Sequence, residues 1–66
     1  TLVAEDLLKV LQELPLGYKT VFNLYAIEGY SHKEIAKKMN VTVSTSKSQF
    51  SRAKAMLREK ITELEK

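Results

Sequence analysis

The 66-residue chain contains no cysteine and no tryptophan, one histidine, one proline and two glycines. Without cysteine it can form neither a disulfide framework nor a cysteine-based zinc site, and His32 alone cannot supply a two-histidine metal motif. Gly17 and Gly29 stand apart, so no glycine-rich phosphate loop is present. No apolar run approaches the roughly 20 residues of a membrane-spanning helix. We therefore expect no enzyme, no metal or cofactor, no small-molecule substrate and no membrane association. The lack of cysteine fits a cytoplasmic location.

The length of the chain corresponds to one small domain with a thin hydrophobic core, because so short a chain buries only about 60% of its extended surface. Its first residue is Thr1 rather than methionine. We interpret residues 1–66 as a single helix-turn-helix domain excised from a longer protein.

The charges of the chain are divided unevenly between its two halves. Residues 1–30 hold two basic and four acidic residues, whereas residues 31–66 hold nine basic and four acidic residues. Between Ser31 and Arg58, Glu34 is the one acidic residue among seven basic ones. A lysine-rich solvated surface would explain this excess, but its coincidence with a turn motif favours a nucleic-acid partner.

The apolar periodicity predicts four helices and no strands, that is, a small all-α four-helix domain that contains a helix-turn-helix. The first helix is expected to bury Leu7, with Leu8 at the margin, and the second to be central because most of its circumference is apolar. The predicted ranges are about Val3 to Leu14, Leu16 or Gly17 to Glu28 with a left-handed cap at Gly29, His32 to Met39, and Val43 to Glu63.

Capping signals set the boundaries of the last two helices. Ser31 and Glu34 have the spacing of a capping box at the start of the third helix. Asn40 follows its last apolar position and tolerates the left-handed conformation that closes a helix. Thr42 offers a side-chain oxygen as the N-cap of the fourth helix. Two short helices joined by a tight turn are typical of a helix-turn-helix, which places its second helix in the DNA major groove.

The fourth helix has an inward stripe and an outward polar face. The stripe comprises Ser46, Phe50, Ala53, Leu57, Ile61 and Leu64, and the buried hydroxyl of Ser46 needs a partner such as the carbonyl four residues back. Short polar side chains allow a helix to enter the major groove, where Lys and Arg reach guanine or phosphate. The predicted DNA-reading residues are Ser44, Thr45, Lys47, Ser48, Ser51 and Arg52. A flexible Ser/Thr-rich loop is the alternative, but the apolar stripe continues directly out of this stretch.

Neighbouring residues are candidates for contacts with the phosphate backbone. Lys54 and Arg58 extend the basic face along the fourth helix. Ser31 and the free N–H groups of the third helix could hold a phosphate at a helix N-terminus. His32, the first residue of that helix, is interpreted as an exposed neighbour of a phosphate rather than as an acid, a base or a metal ligand.

The stretch LPLGYKTVFNLYAIEGYSHKEIAKKMNVTVSTSKSQFSRAKAMLREKI resembles region 4 of bacterial RNA polymerase sigma factors, in particular those of the extracytoplasmic-function group. The resemblance covers about Leu11 to Ile61. The residues that carry it are Leu14-Pro15, Val21-Phe22, Glu28-Gly29-Tyr30-Ser31, Glu34-Ile35-Ala36, Thr45-Ser46-Lys47-Ser48 and Ser51-Arg52-Ala53. Each of these matches is weak alone, and together at these spacings they are strong.

The resemblance implies a domain that binds double-stranded promoter DNA at the −35 element and docks on the flap of the β subunit of core RNA polymerase. An anti-sigma factor is a further implied partner. Thr45, Lys47, Ser48, Ser51 and Arg52 would then face bases and adjacent phosphates, and Tyr30, Ser31 and His32 would lie beside the backbone. The flap contact would fall on apolar surface of the first helices and the far end of the fourth.

Two other functions remain open from the sequence. A response-regulator output domain shares a four-helix unit with a similar turn, although the Leu14-Pro15 pair and the segment Lys47 to Ala53 argue against it. A helical protein-interaction module could instead use the basic face to bind an acidic partner.

Overall fold

The computed structural model describes residues 4–64, which form four helices and contain no strand. The helices are α1 (Ala4–Gln12), α2 (Leu16–Phe22), α3 (His32–Met39) and α4 (Val43–Leu64), and a π-helical turn (Asn23–Ile27) extends α2. The predicted all-α domain with a helix-turn-helix is confirmed. Val3, which was expected to begin the first helix, lies outside the described residues.

The longest helix, α4, is the element against which the other three pack. Its 22 residues give it a length of about 33 Å, close to the 38 Å long axis of the molecule. Because α1 and α2 pack along α4 and α3 crosses its beginning, one face of the first turns of α4 stays open.

A small hydrophobic core forms between α1, α2 and α4. Leu11, Leu14 and Ala53 are buried, with Tyr18, Phe22, Met56 and Leu57 packed around them. Val21 and Ile35 are fully buried, and burying a side chain of this size stabilises the fold by about 1.5–3 kcal/mol. The core therefore holds the helix-turn-helix against the rest of the domain.

The first helix is shorter and less buried than its periodicity predicts. It ends at Gln12, and Leu14 is buried from the turn before Pro15 instead. Leu7 and Leu8 are 44% and 57% exposed, so the expectation that Leu7 is a core residue is wrong. Leu64, expected on the inward stripe of α4, is also exposed. Within residues 4–64 no element covers these side chains, because α1 and the end of α4 lie at the margin of the core.

The second helix is not a regular α-helix throughout, as the prediction assumed. Its last turn is π-helical, and the N–H of Glu28 donates to the carbonyl of Asn23 at 2.9 Å. Gly29 then takes the predicted left-handed conformation with φ +82°. Tyr25 lies within this turn, and its ring stacks on that of His32 with the ring centres 4.2 Å apart.

Candidate nucleic-acid interface

The predicted capping box fixes the start of α3. The hydroxyl of Ser31 accepts a 3.1 Å hydrogen bond from the N–H of Glu34, and the N–H of Ser31 donates to Oε1 of Glu34 at 3.1 Å. The bonds from the backbone and hydroxyl of Ser31, and the nearby charge of Lys38, lower the pKa of the Glu34 carboxyl. This carboxylate and the engaged hydroxyl of Ser31 occupy part of the helix N-terminus where a phosphate was expected, which leaves the first N–H groups of α3 for such a contact.

The turn between α3 and α4 has the predicted conformation. Asn40 is left-handed (φ 57°, ψ 47°), and the N–H of Val41 donates back to the carbonyl of Ala36 at 2.9 Å. The hydroxyl of Thr42 accepts from the N–H of Thr45 at 3.0 Å, as expected of an N-cap. Side-chain caps thus set the angle and register at which α4 begins.

The outward side of α4 carries most of the side chains that were predicted to read DNA. We use the term polar face for the exposed residues Ser44, Lys47, Ser48, Ser51 and Arg52. The short serines leave room for the helix backbone to approach a base edge, and the two cations reach further out.

The hydroxyl groups of Thr45 and Ser48 form hydrogen bonds within the protein, which the sequence did not indicate. Thr45 is partly buried, and its hydroxyl accepts a 2.9 Å hydrogen bond from that of Thr42. The hydroxyl of Ser48 donates to the carbonyl of Thr45 at 3.0 Å. Thr45 therefore belongs to the cap of α4, and Ser48 offers an acceptor oxygen to a ligand.

A line of cations continues the polar face along α4. Lys47, Lys54 and Arg58 are exposed and, with Ser51, follow each other at spacings of three and four residues, which places them on one side of the helix. The ammonium group of Lys54 lies 5.0 Å from the centre of the Phe50 ring. The predicted phosphate contacts Lys54 and Arg58 thus extend from the same surface as the polar face.

Tyr30, Ser31 and His32 lie where α2 gives way to α3. Ser31 is exposed, whereas Tyr30 and His32 are partly buried. The ammonium group of Lys38 lies 4.5 Å from the centre of the Tyr30 ring. This contact was not predicted from the sequence, because Lys38 lies in the last turn of α3 and Tyr30 precedes the helix, outside its periodic pattern.

His32 is part of a side-chain cluster and is not the freely exposed residue that was expected. Its ring stacks on Tyr25 at 4.2 Å and meets Phe50 at 5.7 Å. Its Nδ1 lies 2.9 Å from Oγ of Ser46, which is fully buried. The buried hydroxyl of Ser46 therefore has its partner on α3. The expectation that it bonds to the carbonyl four residues back is wrong.

An open apolar groove lies between α1, the end of α2 with its π-helical turn, and the second half of α4. It has a volume of about 450 Å³ and is lined by Ala4, Leu7, Leu8, Leu11, Phe22, Ile27, Leu57 and Ile61. Leu8 and Ile27 are more than half exposed, at 57% and 62%. We refer to these eight residues as the apolar groove. Apolar surface of this kind is typical of a place where another protein binds.

Residues 4–64 include no cluster of three or more acidic, histidine or cysteine residues that could hold a metal ion. None of the helices formed by these residues is long and apolar enough to cross a membrane.

A capped helix-turn-helix whose second helix presents short polar and cationic side chains defines a class of DNA-binding domains. Comparison with protein families gives the particular one: the model described as Sigma-70, region 4 matches residues 4–57, which is most of the chain. The chain belongs to this family. No curated protein and no solved structure gives a significant match.

Membership of this family implies a general function. Region 4 domains bind the promoter −35 element as part of a sigma factor and interact with RNA polymerase. The protein is therefore a DNA-binding, non-enzymatic domain that acts in transcription.

Proposed function

We propose that this domain is region 4 of an extracytoplasmic-function sigma factor and that the polar face of α4 reads the promoter −35 element. The observation that carries the proposal is the open, basic side of a helix whose start is held by the Thr42 cap. Arg52 and Lys47 would contact bases or their adjacent phosphates, while Lys54 and Arg58 would bind the backbone. Tyr30, Ser31 and His32 would lie along the neighbouring phosphates. Such a domain would work with the polymerase in the cytoplasm.

The proposal is tested by selecting duplexes from a random pool with the 66-residue chain and then titrating the selected duplex at several salt concentrations. If Lys47, Arg52, Lys54 and Arg58 each neutralise a phosphate, log K should fall against log salt with a slope of about −3 to −4. Selection of no sequence, together with no salt dependence, would contradict DNA binding and favour a module that binds an acidic protein.

A matched pair of lysines locates the interface. Lys47 and Lys9 are both exposed, but Lys9 lies on α1 in the acidic half of the chain. Lys47→Ala should weaken binding to the selected duplex and make the salt slope shallower by about 1. Lys9→Ala should change neither quantity. Equal effects of the two substitutions would show that net charge, and not the polar face, attracts the duplex.

We further propose that the apolar groove receives the flap of the polymerase β subunit and that an anti-sigma factor competes for the same surface. The support is the exposure of Leu7, Leu8 and Ile27 in one groove on a domain whose family interacts with the polymerase. Lys47, on the polar face, and Ile61, in the apolar groove, are 14 residues apart on α4, or about 21 Å along its axis, whereas Arg58 lies next to Leu57 of the groove. The duplex and the flap would therefore approach different parts of α4 and come closest at Arg58.

Two leucine substitutions test the groove. Leu8→Asp places a charge among the lining side chains and should abolish binding to core polymerase while leaving duplex affinity unchanged. Leu16→Asp is the control, because Leu16 is 73% exposed and lies outside the groove. Unchanged polymerase binding by Leu8→Asp would contradict the proposed docking site.

A further inference from the structure

One buried polar contact joins the two helices of the helix-turn-helix. Ser46 lies at the end of the first turn of α4, is fully buried, and has its Oγ 2.9 Å from Nδ1 of His32, the first residue of α3. Among residues 4–64 this hydroxyl makes no other hydrogen bond. Other helical hydroxyls behave differently, since those of Thr20 and Thr62 donate to the carbonyl four residues back.

The burial of Ser46 determines the direction of this hydrogen bond. If Nδ1 of His32 carried the proton, the hydroxyl hydrogen of Ser46 would be buried without an acceptor, and an unpaired buried donor is costly. The hydroxyl must therefore donate and Nδ1 accept. In a neutral imidazole the other nitrogen then carries the proton, so Ser46 selects the Nε2–H tautomer of His32.

Aromatic neighbours fix the plane of the same ring. Tyr25 stacks on His32 with an angle of 13° between the rings, and Phe50 meets the ring at 61°. Nε2 has no hydrogen-bond partner among the described residues, yet it is not enclosed. In this tautomer His32 presents an N–H donor of fixed direction that is attached by Ser46 to α4 and is not fully enclosed.

We infer that Ser46 and Tyr25 are positioning residues that hold His32 as the Nε2–H tautomer, so that this N–H donates to a DNA phosphate when α4 binds the duplex. The inference rests on the proposed function and adds a role for Ser46, a side chain that is fully buried. Tyr25, whose ring stacks on that of His32, is part of the π-helical turn, so this turn contributes to the position of His32.

The tautomer can be measured directly, because His32 is the only histidine in the chain. Long-range ¹H–¹⁵N spectra of the ¹⁵N-labelled chain, at about pH 8.5 where histidine is ordinarily neutral, should show a protonated Nε2 and an unprotonated Nδ1. Ser46→Ala should produce a mixture of tautomers. A wild-type spectrum in which Nδ1 carries the proton would overturn the inference without the use of any variant.

Duplex binding tests the phosphate contact at the same pH. His32→Phe keeps an aromatic ring against Tyr25 but loses both nitrogens, and it should weaken binding about tenfold, as expected for one hydrogen bond to a charged group. The salt slope should not change, because a neutral side chain releases no counterion. His32→Gln, which keeps a donor near the position of Nε2, should recover part of the affinity.

Loss of the His32 contact and loss of DNA binding give different experimental results. Equal affinity of His32→Phe and the wild-type chain would overturn this inference and leave the proposed function intact. No duplex binding by the wild-type chain would overturn both. Circular dichroism of each variant identifies any loss of affinity that is caused by unfolding.

Discussion

At the scale of single residues, Arg52 is the side chain of the polar face best suited to read a base. It is exposed, lies among short serines, and carries a guanidinium group that can bind guanine O6 and N7 together. Arg58 is also exposed but lies further along α4, beyond the serines. Arg52 should therefore contribute to the sequence preference of binding, whereas Arg58 should contribute to its affinity on any sequence.

Arg52→Ala should cost about 1–3 kcal/mol of binding free energy on the selected duplex and relax the preference at one position of it. Arg58→Ala should weaken binding by a similar factor on every duplex, because a phosphate contact carries no sequence information. Fluorescence anisotropy with the selected duplex and its single-base variants measures both quantities. Uniform loss for Arg52→Ala would show that it contacts phosphate instead.

Ser31 contributes to the stability of α3 through its cap. Ser31→Ala removes the acceptor for the N–H of Glu34 and should lower the free energy of unfolding by about 1 kcal/mol. Urea unfolding followed by circular dichroism measures this change. Ser31→Asp, which restores an acceptor of the same kind, should recover most of the loss, and a failure to do so would contradict the capping role.

The lowered pKa of Glu34 gives the fold a pH dependence of known sign. Because its pKa is lower in the folded state than in the unfolded chain, the stabilising contribution is present above the unfolded pKa and is lost as the pH falls through the folded value. Glu34→Gln should therefore be less stable than the wild-type chain at neutral pH, and the difference should shrink in acid. A constant difference in urea unfolding at both pH values would contradict this account.

At the scale of elements, alanine substitutions at Gly17 and Gly29 should change the free energy of unfolding in opposite directions. Gly17 lies in the first turn of α2, and a Cβ there would meet Nε2 of Gln49 at 3.8 Å, an ordinary contact. Gly17→Ala should raise the free energy of unfolding by about 0.5–1 kcal/mol, because alanine loses less conformational entropy on folding. Gly29→Ala is the matched control and should destabilise the domain by about 1–2 kcal/mol, because φ is +82° there. Thermal unfolding of both variants checks the signs.

The elements also show which parts of the structure a sequence can predict. The caps at Ser31, Thr42 and Asn40 follow from chemistry within a few residues, and all three were predicted correctly. The partner of Ser46 could not be predicted, because it lies 14 residues away and depends on how two helices cross. The π-helical turn was not predicted either, because the apolar periodicity of the second helix does not distinguish its wider hydrogen bonds from those of an α-helix.

At the scale of the whole molecule, periodicity identified apolar side chains but did not separate the core from a binding surface. Leu7 and Leu11 belong to the same helical stripe, yet Leu11 is 9% exposed and Leu7 is 44% exposed. The difference arises because Leu11 packs in the hydrophobic core, whereas no element among residues 4–64 covers Leu7. What was predicted as core is therefore partly the proposed polymerase-binding groove, which uses Leu57 and Ile61 in the second half of α4, whereas the polar face lies at its beginning.

The central claim is that the beginning of α4 and the start of α3 bind DNA together. The most direct test is to titrate the selected duplex into the ¹⁵N-labelled chain and map the shifts of the backbone amide resonances. We expect the largest shifts at residues 30–32 and 44–52 and little change at Leu7, Leu8 and Ile27 in the apolar groove. Shifts concentrated in the groove, or spread evenly over the chain, would contradict it.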